Sequence, residues 1–391
     1  MNVIVRYILR ELGIIFLIGF LALTCLLLIV GIVQVVIDRH IPLAHTWQLI
    51  PFVFAEMSAI SLPVTLLLAV TIFFSRMSGN NEVVALKALG IPPRTFLMPA
   101  YVIAFIVSLL GVAINEISVT WGPKGINAVL YQNAENIFIS QLQKNRHFET
   151  DDKQIAIMVK GVDAQRRLIE PTIMLKRESA TIEAQSARIT IDFNANMLTI
   201  TLEDFRVTSG FGRAVGGSRE LTFPLSEIVP DTKRERPSNL SLHRINREMQ
   251  RTTELIEQQR RIIAAHRTFA AGLGSVDAWM TPQIAEAKRQ IRQLQSRYDR
   301  LAVEPPRRWA TGFCCFFFVW LGAPLAIWMR KSDFFSSFFA CFLPILVLYY
   351  PLLMFGLSQA KNGTLPPMSV WIANAVIGLI GFWFLRQVSR Y

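Results

Sequence analysis

Charge is what this sequence has least of. Only 17% of its 391 residues are Asp, Glu, Lys or Arg, and 52% are hydrophobic, whereas about a quarter of a soluble domain is charged. The deficit is clustered. Uncharged runs extend over Leu12–Ile37, Thr95–Asn115, Trp309–Met329, Phe334–Ala360 and Asn362–Leu385, and a sixth apolar run, Trp47–Phe74, is broken only by Glu56. At 1.5 Å rise per residue, about 20 apolar residues cross a bilayer. Six such runs exclude an ordinary soluble enzyme and define a polytopic membrane protein. A chain this long also exceeds a single core, so two or more units are expected.

Other absences narrow the function. All four cysteines (Cys25, Cys314, Cys315, Cys341) fall inside hydrophobic runs, so no disulfide framework exists in the hydrophilic part. The five histidines are scattered. There is no H-E-x-x-H, no G-x-S-x-G and no Cys/His ligand spacing, so no metal or catalytic centre is expected. No paired carboxylates or His/Ser pairs occur within the spans, which places an intramembrane enzyme low. No G-x-x-x-x-G-K-[ST] occurs either, so ATP is not bound here through a P-loop and no cofactor is expected. Uphill transport would draw on a partner or an ion gradient.

The formal charge of +12 raises nucleic acid as a ligand. From Glu116 to Arg308 there are 29 Lys+Arg and 23 Asp+Glu, net +6, and the remainder of the chain carries the other half. No basic stripe is interleaved with aromatics, so nucleic acid is excluded.

Loop charges give an orientation. With the N-terminus inside, the inside segments hold Arg6, Arg10, Arg76, Lys87, Arg94, Arg330, Lys331, Arg386 and Arg390, against only Arg39 and Lys361 in the two short outside loops. Both termini are then cytoplasmic, and the long hydrophilic region lies on the other side. The first run is too long for a signal-peptide core and no small-residue cleavage site follows it, so a retained helix is expected.

The hydrophilic region has two textures. Between Phe148 and Leu225, Gln154–Val159, Thr172–Leu175, Ala187–Ile191 and Met197–Leu202 alternate with period two, separated by Gly, Asn and Asp. That pattern predicts a small antiparallel sheet or sandwich. Ile155, Ile157 and Val159 share one face, as do Leu198, Ile200 and Leu202. In a generic β domain such faces form the core. From Asn239 to Leu301 the period becomes helical. Leu242, Ile245, Met249, Ile256 and Ile263, with Thr252 and Gln259 at seam positions, face a second series: Ile284, Ala287, Ile291, Leu294, Tyr298 and Leu301. Thr281-Pro282 suits the start of the second helix. A helical hairpin is expected, and plain structural spacing is its first explanation.

One inside segment is sharply specified. In Met77–Pro93, Asn81 is a candidate N-cap, Glu82 suits the positive helix end, Gly90 offers a left-handed stop, and Pro92-Pro93 prevents continuation. Val83, Leu86 and Gly90 fall on one side of this short surface helix, with Glu82, Ala85 and Leu89 beside them. It is either an interfacial linker or a docking knob for a cytoplasmic partner, and composition does not choose between these. Among single residues, Glu56 is ionisable within an apolar run, where a helix-to-helix hydrogen bond is favoured over substrate contact. Arg39, ending the first span, suits a lipid phosphate or a plain interfacial anchor. Trp47, Trp121, Trp309 and Trp371 mark span ends.

The run Ser78–Gly90 resembles the cytoplasmic coupling segment of the LptF/LptG (YjgP/YjgQ) permease family. Arg6–Glu11, Glu56-Met57 with Leu62-Pro63, Arg307-Arg308 with Gly322–Ala326, Leu348–Tyr350, Leu365–Pro367 and Trp371–Asn374 also resemble that family, in its order. The resemblance covers nearly all of 1–230 and 305–391. Arg6-Tyr7 and Glu56-Met57 lean toward LptF rather than LptG, and the hairpin at 239–302 is longer than the family usually carries.

The resemblance implies an α-helical polytopic membrane protein of six transmembrane helices in a 3+3 layout, with a periplasmic β-jellyroll-like domain and an inserted α-helical hairpin. Its expected parts are 1–117 (three spans, with a coupling helix at 78–91), 118–235 (jellyroll-like), 236–305 (hairpin) and 306–391 (three spans). It implies an inner-membrane permease subunit of an ABC transporter extracting lipopolysaccharide. The implied partners are an LptB-like ATPase dimer, a sister permease and an LptC/LptA-like periplasmic bridge. Glu82, Val83, Leu86, Leu89 and Gly90 would couple to the ATPase. Arg39, Glu56, Ile155, Ile157 and Ile200 would line the substrate path, with the β sandwich partly open so that acyl chains slide along it. A structural or signalling membrane protein that uses its hairpin as an interaction arm is the alternative.

Overall fold

The computed structural model describes residues 2–39, 43–132, 139, 142–143, 146–149, 155–163, 167–175, 180–192, 197–209, 212–224, 237–272, 282–329 and 334–390. They group into two units: 1–28, 54–121 and 236–391 in one, and 29–53 with 122–235 in the other.

The apolar runs form helices that lie mainly in the first unit. The chain runs through α1 (Asn2–Arg39), α2 (Ile50–Gly79), the short α3 (Glu82–Ala88) and α4 (Pro93–Gln132). The end of α1, the start of α2 and the end of α4 belong to the second unit. After the second unit come α5 (Leu242–Gly272), α6 (Pro282–Trp328), α7 (Phe334–Pro344), α8 (Tyr350–Lys361) and α9 (Ile372–Arg390). A π-helical turn, Ile345–Tyr349, joins α7 to α8 after Pro344 has removed one backbone donor. Among the described residues, six helical segments are long and apolar enough to cross a membrane: Val3–Ile37, Thr46–Gly79, Pro93–Pro123, Ile284–Trp328, Ser336–Lys361 and Pro367–Ser389.

Lipid is as apolar as Leu, so these helices are held by close packing and interhelical hydrogen bonds rather than by escape from water. A Cβ at Gly312 of α6 would lie 2.3 Å from Val112 Cγ2 and 2.8 Å from Val112 N, so glycine alone permits the α4–α6 approach. Leu66, Leu67, Phe73, Phe74, Phe96, Leu97 and Phe318 fill the shared core. The Thr24 and Ser61 hydroxyls pair at 2.7 Å across α1 and α2, and Asn374 Nδ2 donates to the Ala310 carbonyl at 2.9 Å.

The second unit is built on an eight-stranded antiparallel sheet. Its strands are β1 (His147–Glu149), β2 (Ile155–Met158), β3 (Gly161–Val162), β4 (Arg167–Ile169), β5 (Thr172–Leu175), β6 (Ala180–Asp192), β7 (Met197–Ser209) and β8 (Gly212–Pro224). β2 and β3 are one strand interrupted at Val159-Lys160, and β4 and β5 one interrupted at Glu170-Pro171. With those joined, each strand pairs with its sequence neighbours. Among the described residues this is an up-and-down meander, without the Greek-key crossover of a two-key jellyroll.

The interruptions line up. β6 pairs Ala184 with Phe205 and Ser186 with Glu203, and β7 pairs Phe205 with Gly216 and Glu203 with Ser218, so Gln185, Asp204 and Gly217 drop out of the ladder at one level. Glu170 and Asp204 have positive φ (45° and 50°). On β7 the buried set switches there from Leu198, Ile200 and Leu202 to Phe205, and on β6 from Ile182 and Ala184 to Ala187 and Ile189. One extra residue per strand leaves the register intact but lets the same sheet face stay apolar on both sides of a transverse crease. An open cleft of about 850 Å³ follows this row, lined by Lys160, Glu170, Asp204, Arg206 and Gly217 among others.

The 239–302 periodicity appears as two packed helices. Ile245, Thr252, Ile256, Ile284, Ala287 and Leu301 are buried at the seam, and Arg297 Nη2 meets Glu248 Oε2 at 3.0 Å. α6 continues unbroken from this pair into the apolar stretch after Arg308, passing through the domain boundary drawn at 305/306. Thr281, the expected cap, lies outside the described residues.

Candidate functional site

The short helix α3 is anchored more deeply than its pattern suggests. α2 runs on to Gly79, so the expected 78–91 helix is shortened to Glu82–Ala88. Ser78 Oγ donates to the Ile327 carbonyl at 3.2 Å. Asn81 stands at the cap position in the left-handed region (φ 59°, ψ 14°) and makes no side-chain cap. Its backbone closes the turn after α2 (Asn81 N to Ser78 O, 3.1 Å), in a left-handed conformation that Asn tolerates. Asn80 Nδ2 instead reaches Glu82 Oε1 at 3.4 Å. Gly90 takes the expected positive φ of 77°.

Val83 is turned inward, only 4% exposed and part of the bundle core, and Leu86 is half-buried against the same core. Lys87 Nζ donates to the Val388 carbonyl of α9 at 3.0 Å, and Arg76 Nη2 holds Glu11 Oε1 at 2.7 Å. The outward surface is therefore Val84, Ala85, Ala88, Leu89 and Gly90, with Glu82 half-exposed at its edge. Leu89 is 76% exposed. Val84 was not singled out from the sequence, because about two turns of helix leave the inward direction unspecified until the neighbouring elements are placed.

Of the expected path residues, Glu56 belongs to the first unit and Ile157 and Ile200 to the second. Glu56 lies on the exposed face of α2, with no hydrogen bond or ion pair among the described residues, so the favoured helix-to-helix bond is not made. The side chains of Arg39 and Ile155 lie outside the described residues. Ile157 and Ile200 are 2% and 0% exposed, inside the sheet unit's own core with Ile173, Ile182, Leu198 and Leu202. Among the described residues no group of three His, Cys, Asp or Glu side chains could hold a metal.

A cluster the sequence did not reveal sits where α4, α5 and α6 meet. Arg308, 1% exposed, forms an ion pair with Glu116 Oε2 and donates through Nη2 to the carbonyls of Leu240 (2.6 Å) and Ser238 (3.3 Å). Glu116 Oε1 accepts from Leu242 N at 2.9 Å, satisfying an orphan donor at the start of α5. One turn deeper, Asn115 Nδ2 donates to Thr311 Oγ1 at 2.9 Å. Arg307 reaches Glu304 Oε2 at 2.7 Å, with Glu304 itself 1% exposed. Both terminal nitrogens of the buried guanidinium are met in this way, as burial of a charge requires, while Arg308 Nε has no hydrogen-bond partner among the described residues.

Six apolar helices, buried polar pairs between them and an inserted antiparallel sheet among the described residues define a multi-pass membrane protein. Residues 6–387, nearly the whole chain, match the family described as lipopolysaccharide export system permease LptF/LptG. The chain belongs to the LptF/LptG family, whose members are multi-pass inner-membrane proteins of lipopolysaccharide export. A comparison with individual curated proteins gave no match.

Proposed function

We propose that this chain is one membrane-spanning subunit of an ATP-driven exporter that extracts lipopolysaccharide from the inner membrane and hands it to a periplasmic bridge. ATP hydrolysis belongs to a separate LptB-like ATPase dimer docking on α3, and this chain carries no cofactor. The observation that carries the reading is the anchoring of α3. Val83 in the bundle core and Lys87 on the Val388 carbonyl make a rigid knob, leaving Val84 and Leu89 as an unpartnered apolar face. A rigid knob can transmit force in both directions; a loose loop cannot.

Two further features support a paired permease. Only 6% of the most apolar window of α1 is buried, and Leu17, Ile18, Leu21 and Leu26 are more than half exposed. A sister subunit, LptF- or LptG-like, is the partner for that surface, and Glu56 then faces the space between subunits, where an ionisable group meets polar lipid or water. Both termini are cytoplasmic, from the Lys/Arg bias, with the β unit and the α5–α6 hairpin periplasmic. The β unit serves as the lipid conduit, with Ile157 and Ile200 reached by acyl chains when the creased sheet opens. The test is purification from membranes with mild detergent. An ATPase chain with a P-loop, a sister permease and bound lipopolysaccharide should come with it, and their absence under conditions that keep the chain folded would refute the reading.

A further inference from the structure

α6 contains a weak joint and a splint across it. Pro305 and Pro306 stand in mid-helix. Lacking N–H groups, they leave the carbonyls of Leu301 and Ala302 without their helical donors, and their rings crowd the same carbonyls. A 47-residue helix should kink or yield there. The chain segment leading into α5 bridges the joint instead. On the arm side of the prolines, Leu240 and Ile245 pack on Leu301 in one small buried cluster. On the bundle side, Arg308 holds the Ser238 and Leu240 carbonyls. Glu304 and Arg307 pair across the joint on α6 itself. The loop after α8 also closes on the arm side: a Cβ at Gly363 would stand 2.7 Å from Asp299 Oδ2.

Glu116 completes the splint from α4. It neutralises Arg308 with one oxygen and holds the first turn of α5 with the other. Because α4 and α6 also interlock at Val112 and Gly312, the α5–α6 pair is fastened to two spans at once.

We propose that Glu116 and Arg308 are positioning residues that make the α5–α6 pair a rigid extension of spans three and four. α6 is then a lever that carries displacement of the membrane bundle about 40 Å beyond Arg308, back to Pro282, at 1.5 Å per residue. This rests on the export reading only for what the lever serves; the rigidity itself is independent of any substrate. In export, the lever would move the arm in step with ATP turnover in the partner ATPase.

The test uses the full chain in its purified complex, reconstituted in nanodiscs, with Cys25 replaced by serine. Spin labels at Leu109 of α4 and Gln293 of α6, both exposed, report the arm against the bundle. The native protein should give one narrow distance distribution. Glu116→Ala should broaden it at least two-fold and lower lipopolysaccharide release at least ten-fold, with ATPase copurification and basal hydrolysis retained. Glu116→Gln, which keeps the acceptor for Leu242 N, should lie between. Restoring the helical donors in Glu116→Ala with Pro305→Ala and Pro306→Ala should narrow the distribution again and recover release. A narrow distribution in Glu116→Ala overturns the splint, as does failure of the proline replacements to narrow a broad one. Wild-type release with a broad distribution overturns the lever while leaving the export reading standing; loss of ATPase and lipid from the native complex would count against the export reading alone.

Discussion

The ammonium of Lys87 donates to the carbonyl of Val388 at 3.0 Å, tying the short helix α3 to the last turn of α9. The two residues lie 301 positions apart, yet the contact sets which side of α3 faces outward. It separates residues that build the knob from those that present it.

That separation predicts opposite phenotypes on one helix. Leu89→Asp and Val84→Asp place a charge on the exposed face and should lower ATPase copurification at least ten-fold while the protein stays monodisperse. A desolvated, unpaired charge at a contact costs several kcal/mol (about 3–5). Val83→Asp should instead abolish folding, since its site is 4% exposed. Size-exclusion profiles and pull-down yields measured together check both. Equal ATPase recovery in Leu89→Asp would refute the docking face.

The α4–α6 crossing depends on one missing methyl group. Gly312→Ala would bring Cβ to 2.8 Å from a backbone nitrogen, which only a shift of helix axes relieves. A loss of at least 5 °C in the detergent melting midpoint is expected. Gly13→Ala, with nothing within 4 Å of its Cβ, should leave the midpoint unchanged.

In the sheet unit, Ile200 is fully buried and Val215 is 77% exposed. A photo-crosslinking residue at Ile200 should react only within the chain at rest and capture lipopolysaccharide during ATP turnover. At Val215 capture should not depend on turnover. Lipid capture at Ile200 without ATP would mean that the sheet stands open at rest.

The proposed orientation is checked at the arm. A cysteine replacing exposed Arg267 near the end of α5 should react with a membrane-impermeant maleimide in cells whose outer membrane has been permeabilised. Reaction only after lysis of the inner membrane would invert the topology.

What the sequence revealed depended on the range of the interaction. The spans follow from uncharged runs, and the α5–α6 seam from 3- and 4-residue steps, including buried Thr252 among the apolar positions. Gly90 signalled its left-handed turn because glycine alone adopts it freely. Asn81 misled, because the same residue type suits a cap and a left-handed turn, and the turn after α2 decided. Glu116 and Arg308 are 192 residues apart, so no local period announces their pairing. The crease was silent for another reason: Glu170 and Asp204 are not residues whose identity demands positive φ, and only the alignment of irregularities across neighbouring strands exposes it.

The most direct test of the central claim is lipid release from proteoliposomes. The chain would be purified with its companion ATPase and sister permease, reconstituted with lipopolysaccharide, and offered the periplasmic bridge protein as acceptor. Transfer of lipopolysaccharide to the acceptor that requires ATP and fails when Leu89 is replaced by Asp is the predicted result. Transfer that proceeds equally without ATP, or ATP hydrolysis with no transfer in a folded complex, would contradict the account.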